Sequence, residues 1–147
     1  GRFKRNVQEN VKGLDFIMKL RPVTYNLDIT NASKKAKENA GQEWDATMKQ
    51  AIAEKENMVY TGFVAQEVEQ AAKETGFEFS GVDKPRNEYG FYGLRYAEFV
   101  VPMVKGMQEQ QTIISNQQKQ IDDLKRANEE LKNQMTELRK LIESKKQ

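Results

Sequence analysis

The chain has 147 residues, 31% of them charged and 37% hydrophobic, which is ordinary for a soluble, helix-rich protein made of one domain and a long helix. Its formal net charge of +2 comes from basic and acidic side chains spread evenly along the sequence, which argues against nucleic-acid binding, and no apolar stretch is long enough to cross a membrane. Because the chain contains no cysteine and no histidine, disulfides, zinc sites and histidine-based catalytic triads are excluded, and we expect neither a metal nor another cofactor.

The first predicted elements are a short helix and a strand. Between residues 6 and 20 the apolar side chains fall at helical spacing. Arg21-Pro22 ends this run, because proline disfavours helix in the residue before it. Residues 23–29 alternate apolar with polar side chains, the period of two that is typical of a strand with one buried face.

A polar segment at residues 30–57 follows, rich in lysine, glutamate, alanine and asparagine. Its main large apolar side chains, Trp44, Met48 and Ile52, are spaced four residues apart. We therefore interpret the segment as a solvated helical insert with one narrow docking stripe.

A second strand and helix come after the insert. Residues 58–64 predict the strand, and residues 66–75 predict a helix that Gly76 caps at its C-terminus. Residues 77–92, with two glycines, a proline and several aromatic residues, predict a hairpin or loop. The inward side chains of the helix are predicted to be Val68, Ala71 and Ala72.

A long helix beginning at Tyr96 is predicted to occupy the rest of the chain. Pro102 and Gly106 lie in its first turns and predict either a kink or a later start. From residue 100 onward a heptad repeat places apolar side chains at ten of its thirteen a and d positions, so the helix is expected to wind around copies of itself or a partner. The predicted seam contains Val100, Met103, Met107, Ile114, Ile121, Leu124, Asn128, Leu131, Met135, Leu138 and Ile142.

The heptad pattern leaves the number of helices open between three and two. Isoleucine at a with leucine at d, and the polar Asn128 at an a position, are typical of two strands. Against this, Ile113, Ala127 and Leu141 at g positions widen the apolar face, and ion pairs between g and e positions are missing. We predict a trimer, with a dimer as the alternative.

These elements predict a mainly helical α+β fold in two parts. Residues 1–99 form a small helix/strand domain that carries the insert, and residues 100–147 form the coiled-coil helix. Only about 70 residues remain to form a core, a size at which stability is marginal, so self-association is expected to complete it. The aromatic residues are accordingly interpreted as packing within or between protomers: Tyr25, Tyr60, Phe63, Tyr89, Phe91, Tyr92, Tyr96 and Phe99.

Four separated motifs resemble one family. They are RFKRNV at residues 2–7, LRPVTY at 20–25, GFVAQEV at 62–68, and YGLRYAEFVVP at 92–102 running into QEQ at 108–110. In order and spacing they are similar to the self-cleaving intramolecular chaperone domain that ends phage tailspikes, tail fibres and endosialidases and that also occurs in the myelin regulatory factor. The insert at residues 30–57 is the part that the resemblance does not cover.

The resemblance implies a homotrimer at the C-terminus of a fibrous or β-helical protein, which guides three chains into register and is then cut off. Long intertwined β-structures have high contact order and are prone to register slips, so a fast-folding helical trimer favours correct alignment. The implied partners are other copies of the chain and the upstream fibre portion of the same polypeptide. For a phage protein, the implied location is the host-cell cytoplasm during virion assembly.

The resemblance also implies a serine peptidase reaction that needs no histidine. The family cleaves before a serine in a pattern similar to Ser-Asp-x-Arg-x-Lys-x-Asn, with the serine as nucleophile and the lysine, its pKa lowered, as base. Mapped onto this chain, Lys4 is the base. Arg2 and Asn6 are implied to support the reaction by orienting the cleavage segment or the oxyanion, with an ion pair and a helix N-cap as their structural alternatives.

The serine and aspartate of this pattern would lie immediately before Gly1. As given, the chain is therefore expected to be inactive and to represent the released fragment, trimmed or cut at its start. Gln66 and Glu67 are expected to cap a helix or to form an intersubunit hydrogen bond rather than to take part in chemistry. No nucleophile is expected among the serines within the chain, which lack an activating context: Ser33, Ser80, Ser115 and Ser144.

Two other functions compete with this hypothesis. A purely structural oligomerisation module would form the same oligomer and never cleave. A coiled-coil DNA-binding factor would hold phosphates with the basic N-terminus, and salt-sensitive DNA retention would identify it.

Overall fold

A small region of short helices and strands precedes one long C-terminal helix in the computed structural model, which describes residues 3–37 and 43–145. Helices dominate, so the predicted mainly helical α+β fold is confirmed at this level. The elements are α1 (Leu14–Ile17), β1 (Val23–Tyr25), α2 (Ile29–Ala36), α3 (Ala46–Glu56), β2 (Tyr60–Gly62), α4 (Ala65–Glu74), β3 (Val82–Asp83), β4 (Gly93–Leu94), a 3-10 helix (Tyr96–Phe99) and α5 (Val100–Ser144).

The chain forms two compact units, Gly1–Gly106 and Met107–Gln147. The predicted domain boundary between residues 99 and 100 stays a prediction. In the second unit the chain is helical as far as Ser144 and nearly all of its described residues are exposed, including the heptad positions Ile114, Ile121 and Leu124 at 49%, 46% and 70% exposure. An uncovered apolar stripe of this kind is the surface that a coiled coil would bury.

The first helix is much shorter than the sequence predicts. The predicted helix over residues 6–20 is wrong for its first half, because α1 begins only at Leu14 and Asn6 has a φ of 53°, which is incompatible with a right-handed helix. Val7 is 78% exposed, so this half lacks the packing that stabilises most helices. Within α1 the buried side chain is Phe16, whereas Met18, counted in the predicted apolar face, is 78% exposed.

Strands β1 and β2 form a two-stranded antiparallel sheet in which Val23 lies opposite Gly62 and Tyr25 opposite Tyr60. Both strands occur where the sequence predicts them, but each has three residues. β1 is shorter than predicted because Asp28 already caps the next helix, its carboxylate accepting a hydrogen bond from the backbone N–H of Asn31 at 2.9 Å.

The insert contains two helices, α2 and α3, so the prediction of a single solvated helix is wrong. Each helix begins after a capping aspartate. The Asp45 carboxylate accepts a hydrogen bond from the N–H of Met48 at 2.7 Å in α3, just as the Asp28 carboxylate accepts one from the N–H of Asn31 in α2. α2 ends at Lys37, whose φ of 55° is the left-handed conformation that terminates helices. Of the predicted docking stripe, Trp44 and Ile52 are half-buried and Met48 is 50% exposed.

The two ends of the insert are tied together. The Glu56 carboxylate accepts hydrogen bonds from both the backbone N–H and the hydroxyl of Thr30, each at 2.8 Å. Between these bonds and the small sheet, the Asn26 side-chain amide donates a hydrogen bond to the carbonyl of Met58 at 2.9 Å. The chain therefore leaves and re-enters the small sheet at nearly the same place.

Helix α4 confirms its prediction. It covers Ala65–Glu74 and buries Val68, Ala71 and Ala72. Its C-terminus is closed by Gly76, whose φ of 62° is readily adopted only by glycine. The Phe77 N–H then donates to the Ala72 carbonyl at 2.9 Å and the Gly76 N–H to that of Lys73 at 3.1 Å, which satisfies two carbonyls of the last turn.

An antiparallel pair, β3 with β4, confirms the predicted hairpin after α4, with Val82 opposite Leu94. The long helix follows, and its 3-10 start at Tyr96 agrees with the prediction. α5 begins at Val100, so a start later than Pro102 is wrong. Pro102 is tolerated in the first turn, where its missing N–H would have had no partner within the helix.

Phenylalanine rings form a connected cluster in the core of the first unit. Phe16 is fully buried, with its ring centroid 5.2 Å from that of Phe77 and 4.9 Å from that of Phe79. Phe99 joins the cluster through an edge contact with Phe79 at 4.7 Å and a stacked contact with Phe63 at 5.4 Å. The sequence analysis identified Phe63 and Phe99 as packing residues and missed the other three.

One side of the terminal helix packs on this core. Phe99, Pro102 and Gly106 are buried, and a Cβ at position 106 would lie 2.6 Å from Cδ1 of Ile17. That atom is the end of a mobile side chain, and the nearest backbone atom, the nitrogen of Leu14, would lie 3.5 Å from the same Cβ. Gly106 therefore marks a close approach of α5 to α1.

The burial of Phe16 predicts a large loss of stability on truncation. Phe16→Ala should lower the free energy of unfolding by about 3–5 kcal/mol, because it removes a ring from a closed aromatic cluster. Phe3→Ala is the matched control, since Phe3 is 95% exposed and should change stability by less than about 0.5 kcal/mol. Urea denaturation at one fixed protein concentration measures both, and equal losses would contradict this account of the core.

Candidate functional site

Three of the four sequence motifs meet on one surface of the first unit. The motif at residues 20–25 provides β1, the motif at 62–68 provides the end of β2 and the start of α4, and the motif at 92–102 provides β4, the 3-10 helix and the start of α5. We call the region where they meet the motif surface.

A two-point ion pair joins the first two of these motifs. Nε of Arg21 donates to Oε2 of Glu67 at 3.0 Å, and its Nη2 donates to Oε1 at 2.5 Å. The hydrogen bond from Arg21 lowers the pKa of Glu67, and the carboxylate in turn raises the pKa of Arg21. Glu67 therefore pairs within its own chain through its carboxylate, rather than only occupying the first turn of α4 as a capping residue.

Tyr96 joins the third motif to the second. Its hydroxyl accepts a hydrogen bond from the backbone N–H of Phe63 at 3.3 Å, and the two rings are stacked with centroids 6.3 Å apart. A Cβ at Gly62 would collide with the same hydroxyl. Only glycine at position 62 leaves the room that Tyr96 occupies.

Two open grooves flank Tyr96. The first, of about 440 Å³, is lined chiefly by aromatic rings and includes Lys35; the second, of about 560 Å³, lies over the threonine side of the small sheet. The aromatic rings of the first groove are those of Tyr25, Phe63, Phe91, Tyr92 and Tyr96. The second is lined by Pro22, Val23, Thr24, Thr61, Gly62, Phe63 and Tyr96.

Helix α2 of the insert is held against the edge of the first groove by two lysines. Nζ of Lys35 lies 5.0 Å from the ring centroid of Phe91. Nζ of Lys37 lies 4.0 Å from the ring centroid of Tyr89 and donates to its hydroxyl at 2.6 Å. These contacts connect the insert to the loop between β3 and β4.

Glu69 holds Tyr92, one of the aromatic residues that line the first groove. Its carboxylate binds Nζ of Lys73 at 2.5 Å and Nζ of Lys84 at 2.8 Å, and accepts from the Tyr92 hydroxyl at 3.1 Å. The hydrogen bonds from Lys73 and Lys84, in that order, lower the pKa of Glu69 to about 2. Three separate segments of the chain thus converge on one carboxylate.

Cleavage chemistry is expected at the remaining motif, residues 2–7. Lys4 and Asn6 are exposed, and among the described residues no hydrogen bond or ion pair joins Lys4 to the motif surface. Asn6 does not cap a helix, because α1 begins eight residues later. Arg2 lies outside the described residues, so its predicted role stays a prediction.

Ser80 is the internal serine with the most defined surroundings. Its hydroxyl donates to Oε2 of Glu98 at 3.0 Å, and its carbonyl accepts from the guanidinium of Arg95. These contacts tie the segment before β3 to the 3-10 helix, which is a structural role.

The part of the chain that the structure describes contains no group of three acidic side chains placed to hold a metal ion. Over the same residues, none of the helices combines the length and the apolar character needed to cross a membrane.

Sequence reasoning located the motifs but not the contacts among them. Arg21 and Glu67 each carry a visible signal, since each is a charged residue within a largely apolar motif. Glu69, Lys35 and Lys37 carry no such signal, because charged residues are common on exposed helices and most of their partners lie far away in the sequence.

Comparison with known proteins agrees with the resemblance read from the motifs. The model of the family described as the chaperone of endosialidase matches residues 1–77. The match includes the insert, which the resemblance leaves out, and ends before the motif at residues 92–102. Neither the curated proteins nor the solved structures contain a match to the chain.

The three partners of Glu69 predict a specific acid response. Its pKa is lowered from 4.5 to about 2 in the folded chain, so its contribution to stability is complete above pH 4.5 and is lost as the pH falls toward 2. Glu69→Gln should therefore lower Tm at pH 7, and the difference from the unmodified protein should shrink between pH 4.5 and 2.

Glu78→Gln is the control, since Glu78 is exposed and forms no hydrogen bond or ion pair within the described residues. A pH-independent difference for Glu69→Gln, or the same pH response in both variants, would contradict the role assigned to Glu69.

Proposed function

The chain belongs to the chaperone of endosialidase family, and from this premise we propose that it is a homotrimeric intramolecular chaperone released by its own cleavage. It aligns three copies of an upstream fibre or β-helical protein to which it is covalently joined. The observation that carries the proposal is the family match over residues 1–77, which supports the chaperone role.

Trimerisation is supported by the apolar stripe of α5. Its heptad positions in the second unit leave isoleucine and leucine side chains 46–70% exposed, an arrangement that is unfavourable in water at about 25 cal/mol per Å² of apolar area. Ile113 and Leu141, at g positions, are 47% and 60% exposed and widen the stripe. A wide stripe favours three helices over two.

The chaperone role follows from what a trimer does to its clients. Three chains joined at one end have a high effective concentration for one another, so the entropic barrier to long-range strand pairing falls. Alignment at one end also fixes the register from which β-structure grows. For a phage fibre this assembly would take place in the host-cell cytoplasm.

Self-release would use Lys4 as the base for a serine placed just upstream. A lysine accepts a proton only when burial or neighbouring cations lower its pKa, and Lys4 is exposed in the single chain. A neighbouring protomer or the upstream segment must therefore cover it. Where the cover is a neighbouring protomer, cleavage depends on assembly, so that the chaperone is released only after its client has been joined correctly.

The first test is the mass in solution. Sedimentation equilibrium should give three chains per particle, and Ile121→Glu should raise the dissociation constant by ~100-fold or more, because carboxylates buried without partners cost several kcal/mol each. Lys119→Glu, at the outward f position, is the matched control and should leave the mass unchanged. A mass of two or four chains would contradict the trimer.

The second test is cleavage of a precursor that contains the natural upstream segment. It should split into two fragments, the smaller beginning with serine, and Lys4→Ala should slow the reaction by about 10²–10⁴, the usual contribution of a general base. Lys12→Ala, on the same segment, is the control. A precursor that assembles but stays whole would identify a structural module without catalysis, and cleavage unaffected by Lys4→Ala would remove this lysine as the base.

A further inference from the structure

The N-terminal segment carries apolar side chains that the single chain leaves uncovered. Residues 3–10 are all exposed, with Phe3 at 95% and Val7 at 78%, and the first helix begins only at Leu14. Transfer of such a ring from water to an apolar site is favourable, so a vacant apolar site within reach would attract it. Phe3 also directly precedes Lys4, the lysine assigned as the base of the cleavage reaction.

The second groove is a vacant apolar site of suitable size. It has a volume of about 560 Å³, and none of its lining side chains is charged. Two of these side chains, Phe63 and Tyr96, provide aromatic rings against which a further ring can pack. The groove can therefore accept a phenylalanine side chain.

Charge favours this groove over the first one. Phe3 is followed by two cationic residues, and the first groove contains the ammonium group of Lys35, which would oppose their approach. The second groove contains no such group. Its neighbour Arg21 is neutralised by the two-point ion pair with Glu67.

The segment is long enough to reach the second groove of its own chain. It is held at Gly13, which is buried and whose carbonyl carbon would lie 3.6 Å from a Cβ at Gly106. Tyr96, at the groove, precedes Gly106 on one run of helix and lies about 15–17 Å from it. The stretch from Gly13 back to Phe3 can span up to about 33 Å. Such a short tether keeps the local concentration of Phe3 high.

We propose that Phe3 packs into the second groove of its own chain and that self-cleavage proceeds from this docked arrangement. Phe3 is then a positioning residue for Lys4. Because Phe3 is 95% exposed in the structure, the docked arrangement is the less populated of the two in the single chain. The inference rests on the proposed function and deepens it, since it identifies the surface that holds the cleavage motif.

Docking of Phe3 would orient Lys4 without burying it in the groove. In an extended segment consecutive side chains point to opposite sides, so Lys4 faces away from the groove when Phe3 enters it. A backbone held at Phe3 limits the positions that Lys4 can take relative to a serine just upstream, and such orientation accelerates a reaction. Lys4 stays open to the upstream segment or the neighbouring protomer, which can supply its cover.

The absence of cysteine from the sequence makes docking testable by disulfide trapping in the full chain. Arg5→Cys is combined in turn with Thr61→Cys and with Thr24→Cys, two exposed positions that line the second groove. Arg5 lies on the same side of an extended segment as Phe3, so the ring itself stays in place. An added mild oxidant converts two thiols to a disulfide only where their Cα atoms come within about 7 Å.

Arg5→Cys with Met18→Cys is the matched control. Met18 is 78% exposed, does not line the groove, and is nearer to residue 5 along the chain, so random collisions would cross-link this pair at least as often. Phe3→Ala, added to the pair with Thr61→Cys, removes the proposed anchor. Circular dichroism checks that each variant retains its helices.

Both groove pairs should form an intrachain disulfide at least about 10-fold faster than the control pair, at a rate independent of protein concentration, and Phe3→Ala should remove the difference. Rates equal to that of the control pair, or rates unaffected by Phe3→Ala, would overturn the inference. A product that consists mainly of disulfides between chains would also overturn it, since the segment would then be held by another copy.

Cleavage of the precursor shows what docking does. Phe3→Ala should slow self-cleavage by about 10-fold, because Lys4 is still present but no longer positioned, and Phe3→Leu should restore most of the rate by filling the groove again. Cleavage unaffected by Phe3→Ala would remove the positioning role. If a precursor with Phe3 intact does not cleave, the proposed cleavage fails and the positioning role fails with it, whereas the disulfide rates still decide whether Phe3 docks.

Discussion

The packing of Phe99 between two other rings holds the first unit together. Its ring stacks on Phe63, at the junction of β2 and α4, and meets Phe79 edge-on ahead of β3, while Phe79 in turn contacts the fully buried Phe16. Because Phe99 is also the last residue before α5, the place where α5 begins in the first unit depends on these ring contacts. Apart from α2, α3 and α4, the elements of the first unit are only two to four residues long. Backbone pairing between such short elements could not by itself fix the start of a helix.

This packing divides the start of the terminal helix into two sides with different partners. Pro102 and Gly106 face the core of their own chain, and Val100 and Met103 are left open. A chaperone that must first fold and then assemble benefits from this division, since the buried side needs no second copy. In the proposed function, folding within each chain thus precedes and orients association.

Prediction from sequence succeeded where the signals are local. α4 has inward residues at helical spacing and a glycine at its end, and both features act within the helix itself. α1 failed because apolar spacing over residues 6–13 predicts a helix only if something buries that side, and Val7 remains 78% exposed. The alternation that predicted a longer β1 was interrupted by Asp28, a strong capping residue whose effect on the next helix outweighs the periodicity.

The candidate site was predictable as a set of motifs but not as a surface. Proximity of Arg21 to Glu67 depends on the register of β1 with β2, and that register is fixed by tertiary packing rather than by either strand. The position of Tyr96 over Gly62 depends likewise on where Phe99 anchors the 3-10 helix. Lys4 is the opposite case. The resemblance assigns it the role of base, but in the single chain its side chain is exposed rather than buried.

The hydrogen bonds from Thr30 to Glu56 hold the two ends of the insert together beside the small sheet. A segment whose two ends already meet can change in length with little effect on its surroundings, since each doubling of a flexible loop adds only about 0.6 kcal/mol of closure entropy. Related chains could therefore lengthen, shorten or replace the segment between these two residues while β1 keeps its register on β2. The insert is thus a segment in which chain length can change while the small sheet keeps its register.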